Sequence, residues 1–184
     1  MALIVQKFGG DALGDKGKGK AADEQDLRGS TFVTEKFRKV AELTARSRQR
    51  GDRVVVVVSA FGDTTNRLLR MAGALSDSPP ARELDMLMTT GEQMSIALLA
   101  IGLEALGCKA QSFTGPQVGI RTDTLFGRSR IVDIQTDRLM KALDEGYVPI
   151  VAGFQGVADN GEITTLGRGG SAITAVALAA AIGA

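Results

Sequence analysis

Three short stretches carry side chains that could handle a small charged molecule. In the first, Gly167-Arg168-Gly169-Gly170-Ser171, a strand ends and a run from Ala172 to Ile182, apolar apart from Thr174, begins; the run reads as a buried helix stopped by Gly183. The start of a helix offers unpaired N–H groups with partial positive charge, a good seat for an anion. Arg168 beside it could grip a carboxylate or phosphate with two hydrogen bonds. The same glycines would equally serve tight strand-to-helix packing. In the second stretch, Lys7 stands near the end of a short apolar strand, Ala2 to Phe8, and faces Gly9-Gly10. A lysine closing a buried strand calls for an anion. In the third, Thr90-Gly91-Glu92-Gln93 has the form of a capping box, with Thr90 starting a helix. Glu92 then either complements the helix dipole or points at a ligand.

Composition narrows the chemistry. Among 184 residues there is no histidine, which removes Ser-His-Asp and Cys-His catalysis and every histidine-containing zinc site. The single cysteine, Cys108, allows neither an intrachain disulfide nor a multi-cysteine metal site, and reads as a small buried residue. No metal site is expected. A net charge of +1, the absence of tryptophan and a lone tyrosine give no platform for nucleic acid or for an acidic membrane surface. No apolar run approaches the roughly 18 residues of a spanning helix, and no signal-like segment opens the chain. A reducing cytoplasm is the expected setting.

Other elements must bring the three stretches together. Thr31 to Arg50 reads as a helix with an apolar side carrying Val33, Phe37 and Val40. Val54 to Val58 is five consecutive valines, as expected of a central parallel strand buried on both faces. Its exit loop, Ser59 to Asn66, leads into a helix through Met71; in open α/β sheets, ligands sit where such loops leave the strands' carboxyl ends. Arg82 to Met88 gives a helical turn or two, and Ile96 to Leu106 follows Thr90 at helical spacing. Further strands are expected at Lys109 to Phe113, Ile131-Val132 and Pro149 to Ala152. The last leads into a hairpin that turns at Asp159-Asn160-Gly161 and returns through Ile163 to Leu166. Thr136 to Glu145 reads as a helix capped by Thr136. The alternation predicts one domain over residues 1–184, a three-layer α/β/α sandwich with a mostly parallel sheet. Residues 11–30 are polar, glycine-rich and aperiodic, and predict a flexible loop insertion. Gly14 to Lys20 fits GxxxxGK, but Ala21 stands where a magnesium-binding hydroxyl belongs.

Several motifs, in order, resemble those of aspartate kinases in the amino acid kinase family. They are Lys7-Phe8-Gly9-Gly10, Val58-Ser59-Ala60 with Gly62-Asp63-Thr64-Thr65, Thr90-Gly91-Glu92, Ser112-Phe113-Thr114-Gly115, Ile150 to Val157, and Gly167 to Ser171. The resemblance spans nearly the whole chain apart from roughly residues 11–30. It implies the substrate half of an amino acid kinase-like fold and transfer of a phosphoryl group from Mg-ATP to the side-chain carboxylate of aspartate. Such transfer is mainly positioning plus charge neutralisation. By the resemblance, Lys7 neutralises the transferring group while Gly9 and Gly10 let it approach. Glu92 pairs with the substrate's ammonium group and Arg168 with a carboxylate. Thr65 and Ser171 hydrogen-bond the amino acid, and Ser59, Gly169 and Gly170 complete the substrate-binding set.

The chain departs from the family pattern at two places. Asp11 and Ala12 stand where the family reads Thr-Ser, and an aspartate beside a phosphate cradle repels the anion. Ala172 stands where the family has its catalytic acid. The family segment that supplies most nucleotide contacts would follow Ala184. The resulting expectation is a repurposed pocket for aspartate or a related amino dicarboxylate, without ATP-dependent kinase activity in this chain alone. ATP and Mg²⁺ enter only if the chain is instead a fragment or subunit of an aspartate kinase. A third reading is a non-catalytic partner of a full-length kinase. Any replacement acid–base chemistry would draw on Lys7, Asp11, Glu92, Asp63 or Tyr147; Asp11 is either a base or a surface residue. A sheet edge or the helix face of Ala172–Ile182 is expected to be uncovered, favouring a homodimer or complex.

Overall fold

The computed structural model describes residues 1–14 and 30–184. The GxxxxGK spacing and most of the expected loop over 11–30 lie outside them. In chain order the elements are β1 (Leu3–Phe8), α1 (Gly10–Leu13), α2 (Ser30–Gln49), β2 (Arg53–Val58), α3 (Thr64–Leu75), α4 (Ala81–Glu104) and β3 (Ala110–Phe113). After a 3₁₀ turn at Pro116–Val118 come β4 (Ile120–Thr122), β5 (Ile131–Ile134), α5 (Asp137–Asp144), β6 (Val148–Ala152), β7 (Gln155–Ala158), β8 (Ile163–Thr165) and α6 (Gly170–Ile182).

The five valines set the centre. All are 0% exposed, and β2 lies inside an all-parallel sheet ordered β1-β2-β6-β3. Because successive strand side chains point to opposite faces, Val54, Val56 and Val58 join Phe37, Val40, Ile96 and Leu99 of α2 and α4 on one side. Val55 and Val57 join Leu139, Leu143, Ala175 and Leu178 of α5 and α6 on the other. That is the three-layer α/β/α arrangement. Register levels the strand ends, pairing Phe8 with Val58 and Val58 with Ala152. The loops leaving β1, β2 and β6 therefore open at one edge.

The molecule differs from the sequence reading in four respects. First, a second sheet, ordered β5-β4-β7-β8 and mixed in direction, stands beside the parallel one. Second, residues 10–13 form a short helix that buries Leu13 completely, so the aperiodic stretch is anchored at its start. Third, no helix begins at Thr90. Helix α4 starts at Ala81 after Pro79-Pro80 and runs through, and the Thr90 hydroxyl donates backwards to Leu87 O at 2.7 Å. As one piece of 24 residues, α4 is long and apolar enough to cross a membrane by length and composition, contrary to expectation, though 44% of its apolar window is buried within the molecule. Fourth, Lys7 is exposed, because β1 is an edge strand, and Cys108 is only half-buried.

Candidate functional site

Glycine at position 91 decides where the acid of α4 ends up. A Cβ there would come within 2.8 Å of the Ala60 Cβ, so only glycine lets the helix lie this close to the loop after β2. The approach carries the Glu92 carboxylate to the Ala60 N–H, which donates to Oε1 at 2.9 Å. Glu92 is 4% exposed, and its other oxygen, Oε2, is buried with no hydrogen-bond partner among the described residues. Burial favours the neutral acid and pushes the Glu92 pKa up to about 7, while the Ala60 N–H pulls the other way.

The turn opposite is built for close approach. Gly169 precedes α6 with φ of +79°, a left-handed conformation that glycine adopts without strain, and no side chain caps the helix. Within that first turn the Gly170 N–H donates to Gly167 O at 3.0 Å and the Ala172 N–H to Gly169 O at 2.9 Å, which fixes the turn against the cavity. Phe154, after β6, is the one non-glycine residue at positive φ (71°) among the described residues. Its N–H donates to Thr174 Oγ1 at 3.1 Å and its carbonyl accepts from Leu166 N–H at 2.9 Å, which hold the strained backbone in place.

These pieces enclose a cavity of about 250 Å³ lined by Lys7, Ser59, Thr65, Glu92, Arg168 and the Gly169–Ala172 turn, with Phe154 and Gly167. Eight of the residues singled out in the sequence, Lys7, Ser59, Thr65, Glu92, Arg168, Gly169, Gly170 and Ser171, are brought together here. Glu92 sits buried at the base; Lys7, Thr65 and Arg168 are exposed at the mouth. The side chains of Lys7 and Arg168 take no ion-pair or hydrogen-bond partner among the described residues. Gly9 and Gly10 do not line the cavity, although a Cβ on Gly9 would sit 3.3 Å from Lys7 Nζ. Asp11 is exposed on α1 and does not line it either; its backbone carbonyl accepts from Lys36 Nζ at 3.0 Å. Two larger grooves elsewhere, one lined by Gln111, Arg138 and Glu145 and one by Lys7, Arg46 and Arg50, contain no unsatisfied buried group among the described residues. Sequence reading passed over Phe154, whose available signal was a bulky residue set between Gly153 and Gly156. Among the described residues no group of three histidine, cysteine, aspartate or glutamate side chains could hold a metal ion.

A cleft of this kind at the carboxyl edge of a parallel sheet, with a glycine turn at a helix start, defines a class. The chain belongs to the amino acid kinase family, whose pattern it matches over residues 2–184. It is similar to the aspartokinase of Corynebacterium efficiens, 50% identical over 100% of this chain and 40% of that protein. The aspartokinase of Thermus thermophilus is 47% identical over 100% of this chain and 41% of its own length. Among solved structures, the aspartate kinase from Synechocystis superposes with a TM-score of 0.77 at 45% identity, covering 99% of this chain and 27% of that one. Escherichia coli aspartokinase III in complex with aspartate and ADP gives 0.76 at 25% identity, covering 99% and 47%. The chain spans about 40% of the length of the curated relatives it matches.

The half-satisfied Glu92 predicts a pH signature. Between pH 5 and 7 the unfolded chain has lost this proton while the folded chain keeps it. Stability therefore falls as pH rises through that window, by at most about 3 kcal/mol, and levels off above it. Urea unfolding at pH 5 and pH 8 should show that loss in the wild type and a much smaller one in Glu92→Gln. Equal pH dependence in both proteins would contradict the assignment.

Proposed function

We propose that this chain binds aspartate or a closely related amino dicarboxylate and does not, by itself, transfer a phosphoryl group from ATP. One observation carries the reading: Glu92, whose buried Oε2 has no hydrogen-bond partner among the described residues, lines a small cavity together with two cations, Lys7 and Arg168, that are unpaired among those residues. The charges complement a zwitterionic diacid. Glu92 Oε2 receives the ammonium group, Arg168 takes one carboxylate in a two-pronged contact, and Lys7 takes the other. Ser59, Thr65 and Ser171 supply hydroxyls, Gly169 leaves the backbone open to the ligand, and Gly170 lets the turn pack on Phe154 and Leu166. A volume of about 250 Å³ suits an amino acid and falls below the usual range for drug-sized ligands. The aspartate named in the complex of aspartokinase III supports the ligand class.

Loss of phosphoryl transfer rests on Ala172, which lines the cavity where the resembled family carries its acid, and on Asp11 beside the phosphate-side turn. Asp11 remains a candidate base on sequence grounds alone. The second reading, a piece of an aspartate kinase acting on ATP, Mg²⁺ and aspartate, is favoured by the 50% identity across the chain's full length. Association also belongs to the proposal: Ile173 and Val176 of α6 are 47% and 71% exposed, and β1 is an open edge. The lone Cys108 fits a cytoplasmic setting.

Calorimetry should detect aspartate binding that tightens from pH 6 to pH 8, as Glu92 ionises to meet the ammonium group. Arg168→Ala should weaken it about 30-fold, the value of roughly 2 kcal/mol for a charge-assisted contact. Equal affinities for wild type and variant reject the assignment of Arg168. With Mg-ATP, aspartate and hydroxylamine, no acyl hydroxamate should form; turnover would establish the kinase reading instead. Light scattering at micromolar concentration should report more than the 19.3 kDa of one chain, and a stable monomer contradicts the association.

A further inference from the structure

Asp85 is 2% exposed on α4, and no lysine or arginine pairs with it among the described residues. A buried carboxylate without a cation costs several kcal/mol unless donors satisfy it. Here they do. The Gly127 N–H lies 3.0 and 2.9 Å from the two carboxylate oxygens, the Thr165 N–H donates at 2.9 Å and the Thr165 hydroxyl at 2.7 Å. Both partners belong to segments that deliver Arg168. Thr165 ends β8, three residues before it. Gly127 packs beneath Gly167, where a Cβ would meet the Gly127 carbonyl at 3.1 Å. Ser129 closes the ring, its N–H and hydroxyl donating to Thr165 O at 2.8 and 2.9 Å.

Asp85 also precedes Glu92 by seven residues, two helical turns, so the two carboxylates share one face of α4 about 10 Å apart along the axis. One helix face thus fixes Glu92 against Ala60 and, through Asp85, fixes the strand and turn that carry Arg168. We infer that Asp85 is a positioning residue that sets Arg168 over the cavity opposite Glu92, a role that rests on the proposed amino dicarboxylate site. It touches no ligand. Its carboxylate acts only through the Gly127 and Thr165 N–H groups and the Thr165 hydroxyl.

Asp85→Asn keeps the shape but turns an amide NH₂ toward those donors, and Thr165→Val removes one donor while leaving the carboxylate. Hydrogen exchange on the ligand-free chain should show amides of residues 124–129 and 166–171 exchanging about 10-fold faster in Asp85→Asn, with strand Val54–Val58 still protected. Thr165→Val should show a smaller rise in the same segments. Unchanged exchange there, or equal acceleration in β2 in both variants, overturns the inference. Where the wild type binds aspartate, Asp85→Asn should weaken binding about 10-fold, and less than about 2-fold in an Arg168→Ala background, because the two act as one unit. Additive losses overturn the positioning role. Localised exchange changes in a wild type that binds no aspartate would leave the tether standing and remove the proposed function.

Discussion

The site depends on a carboxylate held by one oxygen. Ala60 N–H satisfies Oε1 of Glu92, and nothing in the described chain satisfies Oε2. A buried acceptor left unmade costs about 1–3 kcal/mol, more when charged, so a fold optimised only for stability would replace or cover it. Raising the pKa to about 7 relieves part of that cost, since the neutral acid is cheaper to bury than the anion. The molecule thereby keeps a group close to half-ionised at neutral pH at the base of an open cavity. A cationic ligand group would draw it back to the carboxylate.

Helix α4 makes this possible by serving both sheets. Its Ile96, Leu99 and Leu103 pack on the parallel sheet, while Asp85, Thr89 and Glu92 occupy the face where the sheets meet. Gln155 of β7 donates to the Thr89 carbonyl at 3.2 Å between the two acids. The cavity therefore lies where the parallel strands end and the small mixed sheet begins. The strained Phe154 backbone marks that joint, and such strain persists only when surrounding bonds over-determine it.

Much of this was legible in the residues. Five adjacent valines left little choice but a doubly covered central strand, and the run Ala172 to Ile182, apolar apart from Thr174, left little but a packed helix. Unpaired charge types beside glycines, Lys7, Glu92 and Arg168, pointed to the same cavity, and the structure lines it with all three. The hairpin return through Ile163 was read as a strand, but the second sheet escaped because Ile120–Thr122, which joins the hairpin to Ile131–Ile134, is too short to show a period of two. The capping-box reading failed because Thr90 can bond its own preceding turn as well as a helix start. Asp85 escaped for a different reason. Its donors lie 42 and 80 residues away, and no local pattern encodes them.

On the proposed reading, Ala172 and Asp11 separate the binding of an amino acid from phosphoryl transfer to it. If the cavity serves the former, ligand and Glu92 must be linked through a proton. The most direct test is a carbon-13 NMR titration of the Glu92 carboxyl, free and saturated with aspartate. The account predicts a midpoint near pH 7 in the free protein and one at least about a unit lower with aspartate bound, equivalent to roughly 1.4 kcal/mol of interaction. A midpoint in the ordinary glutamate range without ligand, or one that aspartate leaves unmoved, would contradict it.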